Sequence, residues 1–296
     1  MLNREIMPSP LTLFFMMFFL LESMAAILGN GFIIIVLGKE WVRFWILPPG
    51  DMILASLGIS RFFLHWATII SNFFEYFATI YRNMYLEIFW IFTNSTTFWF
   101  TTWLAVFYCV KISSFTHPIF LWLKWRISRF VPWLLLLSLL ITTLIYISSF
   151  VKIYLVFQLP VTGNYSEKII LDMKRELRWH LFMPLQLFIL LNTFFFFLVS
   201  TIVLISFLCQ HLANMQHYGA SRQDPSMQVY VTTLKSLFFF LILYTSHVLL
   251  LIISITTPFS VYSSQFWIRE VVIYAGISIH PAFLILNSSK LRRTLK

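Results

Sequence analysis

The chain contains residue types that catalysis uses, but not at the intervals that catalysis needs. Its histidines, at positions 65, 117, 180, 211, 217, 247 and 280, lack the clustered spacing of a metal site. It has no His-Glu-x-x-His pair, no glycine-rich phosphate loop and no Gly-x-Ser-x-Gly elbow, so zinc hydrolysis, phosphoryl transfer and acyl transfer have no visible carrier. No enzymatic activity, cofactor or metal is expected. What the sequence does hold is a sparse set of polar side chains inside or at the ends of long apolar runs: Glu22, Asn30, Arg61, Glu87, Asn94, His247, Glu270 and Asn287. A charge near the middle of a bilayer costs about 2.5–3.5 kcal/mol by insertion scales. Such groups must turn toward protein, where the chemistry open to them is hydrogen bonding and charge pairing.

The elements that position them follow from composition. The 296 residues are 59% hydrophobic, 19% aromatic and 11% charged, against about 25% charged in a soluble domain. Apolar runs fall at roughly 11–37, 52–74, 86–110, 130–151, 181–208, 234–256 and 266–286, near the length of about 20 residues that a helix needs to span a bilayer. Lipid tolerates no unpaired backbone, so these runs must be helices. The expected fold is an all-α membrane protein, one seven-transmembrane helix bundle over residues 1–296. Spans three and six carry the clearest signal. Trp41, Trp122, Trp125, Trp133, Trp179 and Trp267 cluster near span ends, as interfacial anchors do. The first run is too long for a cleavable signal segment and reads as an insertion signal in its own right.

Charge sets the orientation. Segments 38–51, 111–129, 209–235 and 288–296 share one side of an odd-numbered bundle and hold twelve Lys or Arg against three acids, Glu40, Asp51 and Asp224. The positive-inside rule puts them in the cytoplasm and the amino terminus outside. The sequon at Asn164 then falls in the second outer loop, where glycosylation is expected. Cys109 and Cys209 lie near cytoplasmic helix ends, where no disulfide is expected. The net charge of +10 is spread over connectors beside lipid headgroups, so a nucleic-acid partner is not expected.

Arg61 is the strongest of the intramembrane clues, with Asn30 and Asn287 as expected hydrogen-bond partners. It either staples helices together or rearranges on activation, and both can hold. Glu22 either pairs inside or lies near the outer surface. Trp90, Asn94, Glu87, Tyr244, His247 and Glu270 fall in the outer half of the bundle, and a mainly aromatic cavity with a few polar groups describes a small-molecule site. Glu270 could accept a ligand's hydrogen or cationic amine, or merely pair with Arg269.

Several strings resemble the bitter-taste receptor family. They are Gly29-Asn30-Gly31-Phe32-Ile33, Leu57-Gly58-Ile59-Ser60-Arg61, Trp103 through Ile112, Phe120 through Ile127, Gln223-Asp224-Pro225-Ser226, Leu234-Lys235-Ser236-Leu237 and His280 through Leu291. They run in order from the first span to the last. Departures are Val229-Tyr230, where the family usually has Ala-His, Thr233 for a common alanine, and Pro281 where many members have serine. These bear on coupling rather than on membership.

The resemblance implies a G-protein-coupled receptor in the plasma membrane that binds small bitter molecules and couples to a heterotrimeric G protein of the gustducin or inhibitory type. Carried over residue by residue, ligand contacts fall on Trp90, Asn94, Tyr244 and Glu270, all four among the six that the cavity argument selects. Asn30, Arg61, His280 and Asn287 would form the activation network. Tyr108, Lys111, His211, Leu234 and Lys235 would face the G protein, with headgroup anchoring an equal reading for Lys235. Homo- or hetero-oligomers remain open. The competing class is a small polytopic transporter using Glu87, Glu270 or Arg61 along a polar path, although no inverted repeat is evident.

Overall fold

The computed structural model describes residues 8–77, 84–113, 118–158, 176, 178–217, 225–257 and 259–295. The expected sequon at Asn164 and the acid Asp224 lie outside them. Long helices run in chain order: α1 (Pro10–Phe44), α2 (Pro49–Phe77), α3 (Met84–Ile112), α4 (Pro118–Gln158), α5 (Met183–His217), α6 (Pro225–Thr256) and α7 (Ser264–Asn287). A π turn, Arg178–Phe182, leads into α5, and a short α8 (Ser289–Leu295) follows α7. No strand occurs among the described residues. The expected all-α membrane bundle is what the chain forms.

Local sequence explains several of the starts. Pro10, Pro49, Pro118 and Pro225 each open a helix, where a missing N–H costs nothing and φ is already set. Ser9 caps α1 by accepting from the Thr12 N–H, and Ser263 caps α7 through the Phe266 N–H. The helices close into a ring, with α1 packed on both α2 and α7, and α6 between α5 and α7. Helix α3 packs against α2, α4 and α5 and forms the centre.

All the long helices but α3 are long and apolar enough to cross a membrane on length and composition alone. That corrects the expectation that span three is among the clearest. The reason is its hydroxyls and amides: Thr93, Asn94, Ser95, Thr96, Thr97, Thr101 and Thr102 are all buried. Most of them serve its neighbours. Thr97 meets the Ser60 hydroxyl on α2 at 3.2 Å, Ser95 bonds Tyr146 on α4, and Thr102 donates to the Thr193 carbonyl on α5. Trp103 adds a 2.7 Å bond to Ser138 on α4. A helix shielded from lipid on most sides need not be oily, and interhelical hydrogen bonds are the glue available where lipid removes the hydrophobic drive.

Trp267 also departs from expectation. Trp41, Trp122, Trp125, Trp133 and Trp179 are exposed on the bundle surface, but Trp267 is 0% exposed. Its indole donates to the Val261 carbonyl, and its ring meets Phe19, Phe73, Tyr76 and Phe266. Nearness to a span end does not choose between a lipid-facing and an inward-facing side of the helix. Here the inward side wins.

Where α7 ends, Lys290 on α8 joins Asp51 on α2 at 2.7 Å and Glu40 on α1. Its partial burial pulls the amine's affinity for protons down, and the bonds to Asp51 and Glu40 more than restore it, so it stays above the ordinary lysine range. This clasp ties α1, α2 and α8 at one face.

Helices α6 and α7 approach closely at Gly276, where an added Cβ would stand 3.2 Å from the Leu243 carbonyl oxygen and 3.5 Å from its Cβ. Backbone cannot swing aside as a side chain can. Gly276→Val should therefore cost about 1–3 kcal/mol through overpacking, read as a lower midpoint in thermal unfolding of the nanodisc-embedded protein. An unchanged midpoint would mean the two helices are not in close contact.

Candidate functional site

Helical periodicity puts the buried polar groups into stripes. On α2, Asn72, Thr68, His65 and Arg61 are spaced by four, three and four residues, and on α7 Glu270, Tyr274, Ile277 and His280 follow a similar rhythm. Each set occupies one helical face. The stripes meet inside the bundle and form a polar seam. It runs from the face where α1 begins, here the N-face, toward the face where α7 ends, the C-face.

Nearest the N-face, Glu270 is buried and accepts from the Asn72 amide at 3.1 Å, with the Arg269 guanidinium 3.5 Å away. Arg269 also donates to the Thr257 carbonyl and lies over the Phe259 and Phe266 rings. Of the two readings open for Glu270, pairing with Arg269 therefore occurs, and Asn72 is added to it. One turn deeper, the Tyr274 hydroxyl accepts from Trp90 Nε1 at 2.7 Å and is hydrogen-bonded to the Thr68 hydroxyl at 3.0 Å. Three helices meet on that one oxygen.

The next level is aromatic and imidazole. His65 and His247 flank the Tyr274 ring at 5.6 and 6.4 Å between centroids. His247 Nδ1 lies 2.7 Å from the Ile273 carbonyl. A carbonyl only accepts, so Nδ1 carries the proton. Phe98 of α3 touches both His247 and Tyr244, and Tyr244 packs 4.2 Å from Phe197 of α5. Asn94, four residues from Phe98 on the same face, is buried with neither amide atom bonded. The Tyr244 hydroxyl is likewise unbonded.

At the deepest level stands Arg61, 2% exposed. Its Nη1 meets His280 Nδ1 at 2.6 Å and its Nη2 reaches Thr101 at 3.5 Å. A guanidinium has only donors, so His280 Nδ1 must be the unprotonated acceptor. The Phe240 ring covers His280 at 4.5 Å and continues to Tyr244 at 6.0 Å. The partners expected for Arg61 were different. Asn30 instead donates to the Ala26 carbonyl of its own helix at 2.9 Å, and Asn287 closes α7 with its side chain outside the described residues. Glu22, left open by sequence, lies beside Ser278 of α7 with both oxygens buried and unbonded.

The residues expected at the C-face gather in part. Tyr108 and Leu234 pack with Cys109, Leu204, Leu208 and Tyr230 in one cluster at the ends of α3, α5 and α6. His211 stacks on Phe207 and meets that same Tyr230 edge-on, so the departure at position 230 is seated in this cluster. Lys111 and Lys235 are exposed. Sequence reasoning did not select Thr68, Asn72, Thr101 or Tyr274. Their spacing from Arg61, Asn94 and Glu270 by whole turns was the available signal.

The long apolar helices and the interior polar seam define a multi-pass membrane helix bundle. The taste receptor protein (TAS2R) family matches residues 7–296. The chain is 44% identical to taste receptor type 2 member 134 of Rattus norvegicus over 95% of its own length and 85% of the relative's. It is 44% identical to taste receptor type 2 member 41 of Pan paniscus over 97% and 95% of the two chains, and 39% identical to member 41 of Mus musculus over the same shares. This chain belongs to the taste receptor type 2 family, a family of receptors rather than enzymes.

The seam yields a test of its own. Tyr274→Phe leaves the Trp90 indole without its acceptor, whereas Thr68 keeps the Leu64 carbonyl at 2.8 Å, so the loss should be about 1–3 kcal/mol, that of one unpaired donor. The same substitution should blue-shift or broaden the Trp90 indole fluorescence, read as the difference between this variant and one that also carries Trp90→Phe. A variant as stable as the parent would show that the hydroxyl is not shared.

Proposed function

We propose that the chain is a G-protein-coupled bitter-taste receptor of the plasma membrane, with its amino terminus and N-face extracellular and its carboxyl terminus in the cytoplasm. A small bitter compound enters from the N-face and meets Trp90 as an aromatic wall, Asn94 as an orienting hydrogen-bond partner, Tyr244 at the floor and Glu270 as an acceptor. Aromatic walls tolerate many molecular shapes, which suits chemically varied ligands. Ligand acts only by favouring one arrangement of the bundle over another. The C-face cluster of Tyr108, Leu234 and His211, flanked by Lys111 and Lys235, then receives a heterotrimeric G protein of the gustducin or inhibitory type. Lipid headgroups are the other partner of the basic connectors, and the family kinship extends the reading to taste.

The observation that carries this reading is continuity. Hydrogen bonds and ring contacts lead from Trp90 through Tyr274, His247 and Tyr244 to Phe240, His280 and Arg61. A ligand that displaces Trp90 or Asn72 from its present partner disturbs groups packed on the element that leads inward. In the resting bundle these partners are satisfied internally, so a ligand must compete with Tyr274 for Trp90 and with Asn72 for Glu270. A transporter would also use a polar path, but the kinship is to receptors.

Two measurements decide between them. Bitter compounds should raise G-protein nucleotide exchange by the purified chain, and they should produce no substrate flux in sealed vesicles. Trp90→Ala and Glu270→Ala should reorder agonist potencies by about tenfold, the effect of roughly 1.4 kcal/mol, at unchanged surface expression. Flux without exchange, or potencies unaltered for every agonist, would overturn the assignment.

A further inference from the structure

The deepest level of the seam has a charge that no ion pair balances among the described residues. Arg61 keeps its proton in any protein environment, is 2% exposed, and donates only to a neutral imidazole and a threonine hydroxyl. Among the described residues its guanidinium forms no ion pair, for Glu270 is taken by Arg269 and both Asp51 and Glu40 by Lys290. Asp51 lies ten residues along α2 from Arg61, and Glu270 ten residues along α7 from His280, each about 15 Å away at helical rise. Glu22 sits beside Ser278 and makes no ion pair.

Around this charge the unbonded atoms collect. Arg61 Nε, both nitrogens of His65, both amide atoms of Asn94, the Tyr244 hydroxyl and His247 Nε2 are buried without a partner. Tyr244 is the electrostatic neighbour of the guanidinium, and ring contacts join Tyr244 to His247, to Phe98 and, through Phe240, to His280. His65 stands one turn from Arg61 on the same face of α2. These groups therefore lie along one linked stretch of the seam, the basin beside Arg61, rather than at scattered positions. Water could satisfy its hydrogen bonds but not its charge, and a buried charge persists only when it is paired.

We propose that this basin binds one small monovalent inorganic anion of the chloride class as the counter-ion of Arg61, held by Arg61 Nε with the Tyr244 hydroxyl and the Asn94 amide as further donors. The site adjoins the proposed ligand contacts and shares Tyr244 and Asn94 with them. The anion would thus hold the inner end of the seam in place, while agonists act from the other end.

The inference goes beyond the receptor reading and is tested without agonist or G protein. The full chain in nanodiscs would be melted across a chloride titration at constant ionic strength, with gluconate, a far bulkier anion, as the replacement. The melting temperature should rise by several degrees and saturate with chloride, as binding to the folded state alone requires. Bromide should substitute for chloride. Arg61→Gln should abolish the dependence and Tyr244→Phe should weaken it. Equal melting in chloride and gluconate would overturn the proposal, leaving water as the occupant, and so would a chloride dependence that persists in Arg61→Gln. Should that variant fail to fold, equilibrium binding of radioactive chloride to the unsubstituted chain decides. One bromide-displaceable ion per chain supports the site, and no saturable binding refutes it.

Discussion

A guanidinium buried in the bilayer-spanning part of the chain is the constraint around which the bundle is arranged. Removing one partner from a buried charge destabilises by about 3–5 kcal/mol, a large share of a typical folding free energy of 5–15 kcal/mol. Arg61 therefore dictates what can surround it. Its Nη1 requires an acceptor, which fixes the His280 tautomer. His280 in turn is held by the Phe240 ring, so α2, α6 and α7 are committed to one relative placement near their centres. Pro281, the residue after His280, packs close to Gly29 of α1, where an added Cβ would stand 3.0 Å from it. One polar residue on α2 thus sets the placement of α7 and, through it, of α1.

Helix α3 illustrates the complementary rule. In lipid, apolar side chains do not distinguish a neighbouring helix from acyl chains, so packing and hydrogen bonds must supply the specificity. The chain concentrates its hydroxyls on the one helix that touches α2, α4 and α5. Many of these groups also bond back to their own helix, as Thr93, Thr96 and Thr97 do at 2.8–3.0 Å. They are satisfied in either arrangement and cost little when a neighbouring helix shifts. A receptor that must exchange one packing for another gains from a central helix whose contacts can be remade.

Much of this was legible in the sequence. Apolar runs of membrane length sufficed for the helices, and intramembrane polar residues such as Arg61, Asn94, His247 and Glu270 are buried because lipid leaves them no alternative. Partners were harder to read. Asn30 and Asn287 look suited to Arg61 by type and depth, yet the helix rotation that brings His280 to it depends on packing against Phe240, a long-range contact without a local signature. Trp267 failed for the same reason, since distance along a helix gives depth but not direction. Tyr274 and Thr68 passed unnoticed because tyrosine and threonine are ordinary residues in a membrane helix. Only the convergence of three helices on one hydroxyl makes them matter. Hydropathy understated α3, whose polarity is a consequence of its central position.

The central claim is that Arg61 and His280 are energetically one unit, and a double-mutant cycle measures that directly. Arg61→Met, His280→Leu and the pair would be compared by reversible thermal unfolding in nanodiscs at fixed salt. The expected coupling is at least about 1 kcal/mol, with the double variant less destabilised than the sum of the single ones. Strict additivity would show that the two residues do not share a bond, and the inner half of the seam as described here would be wrong.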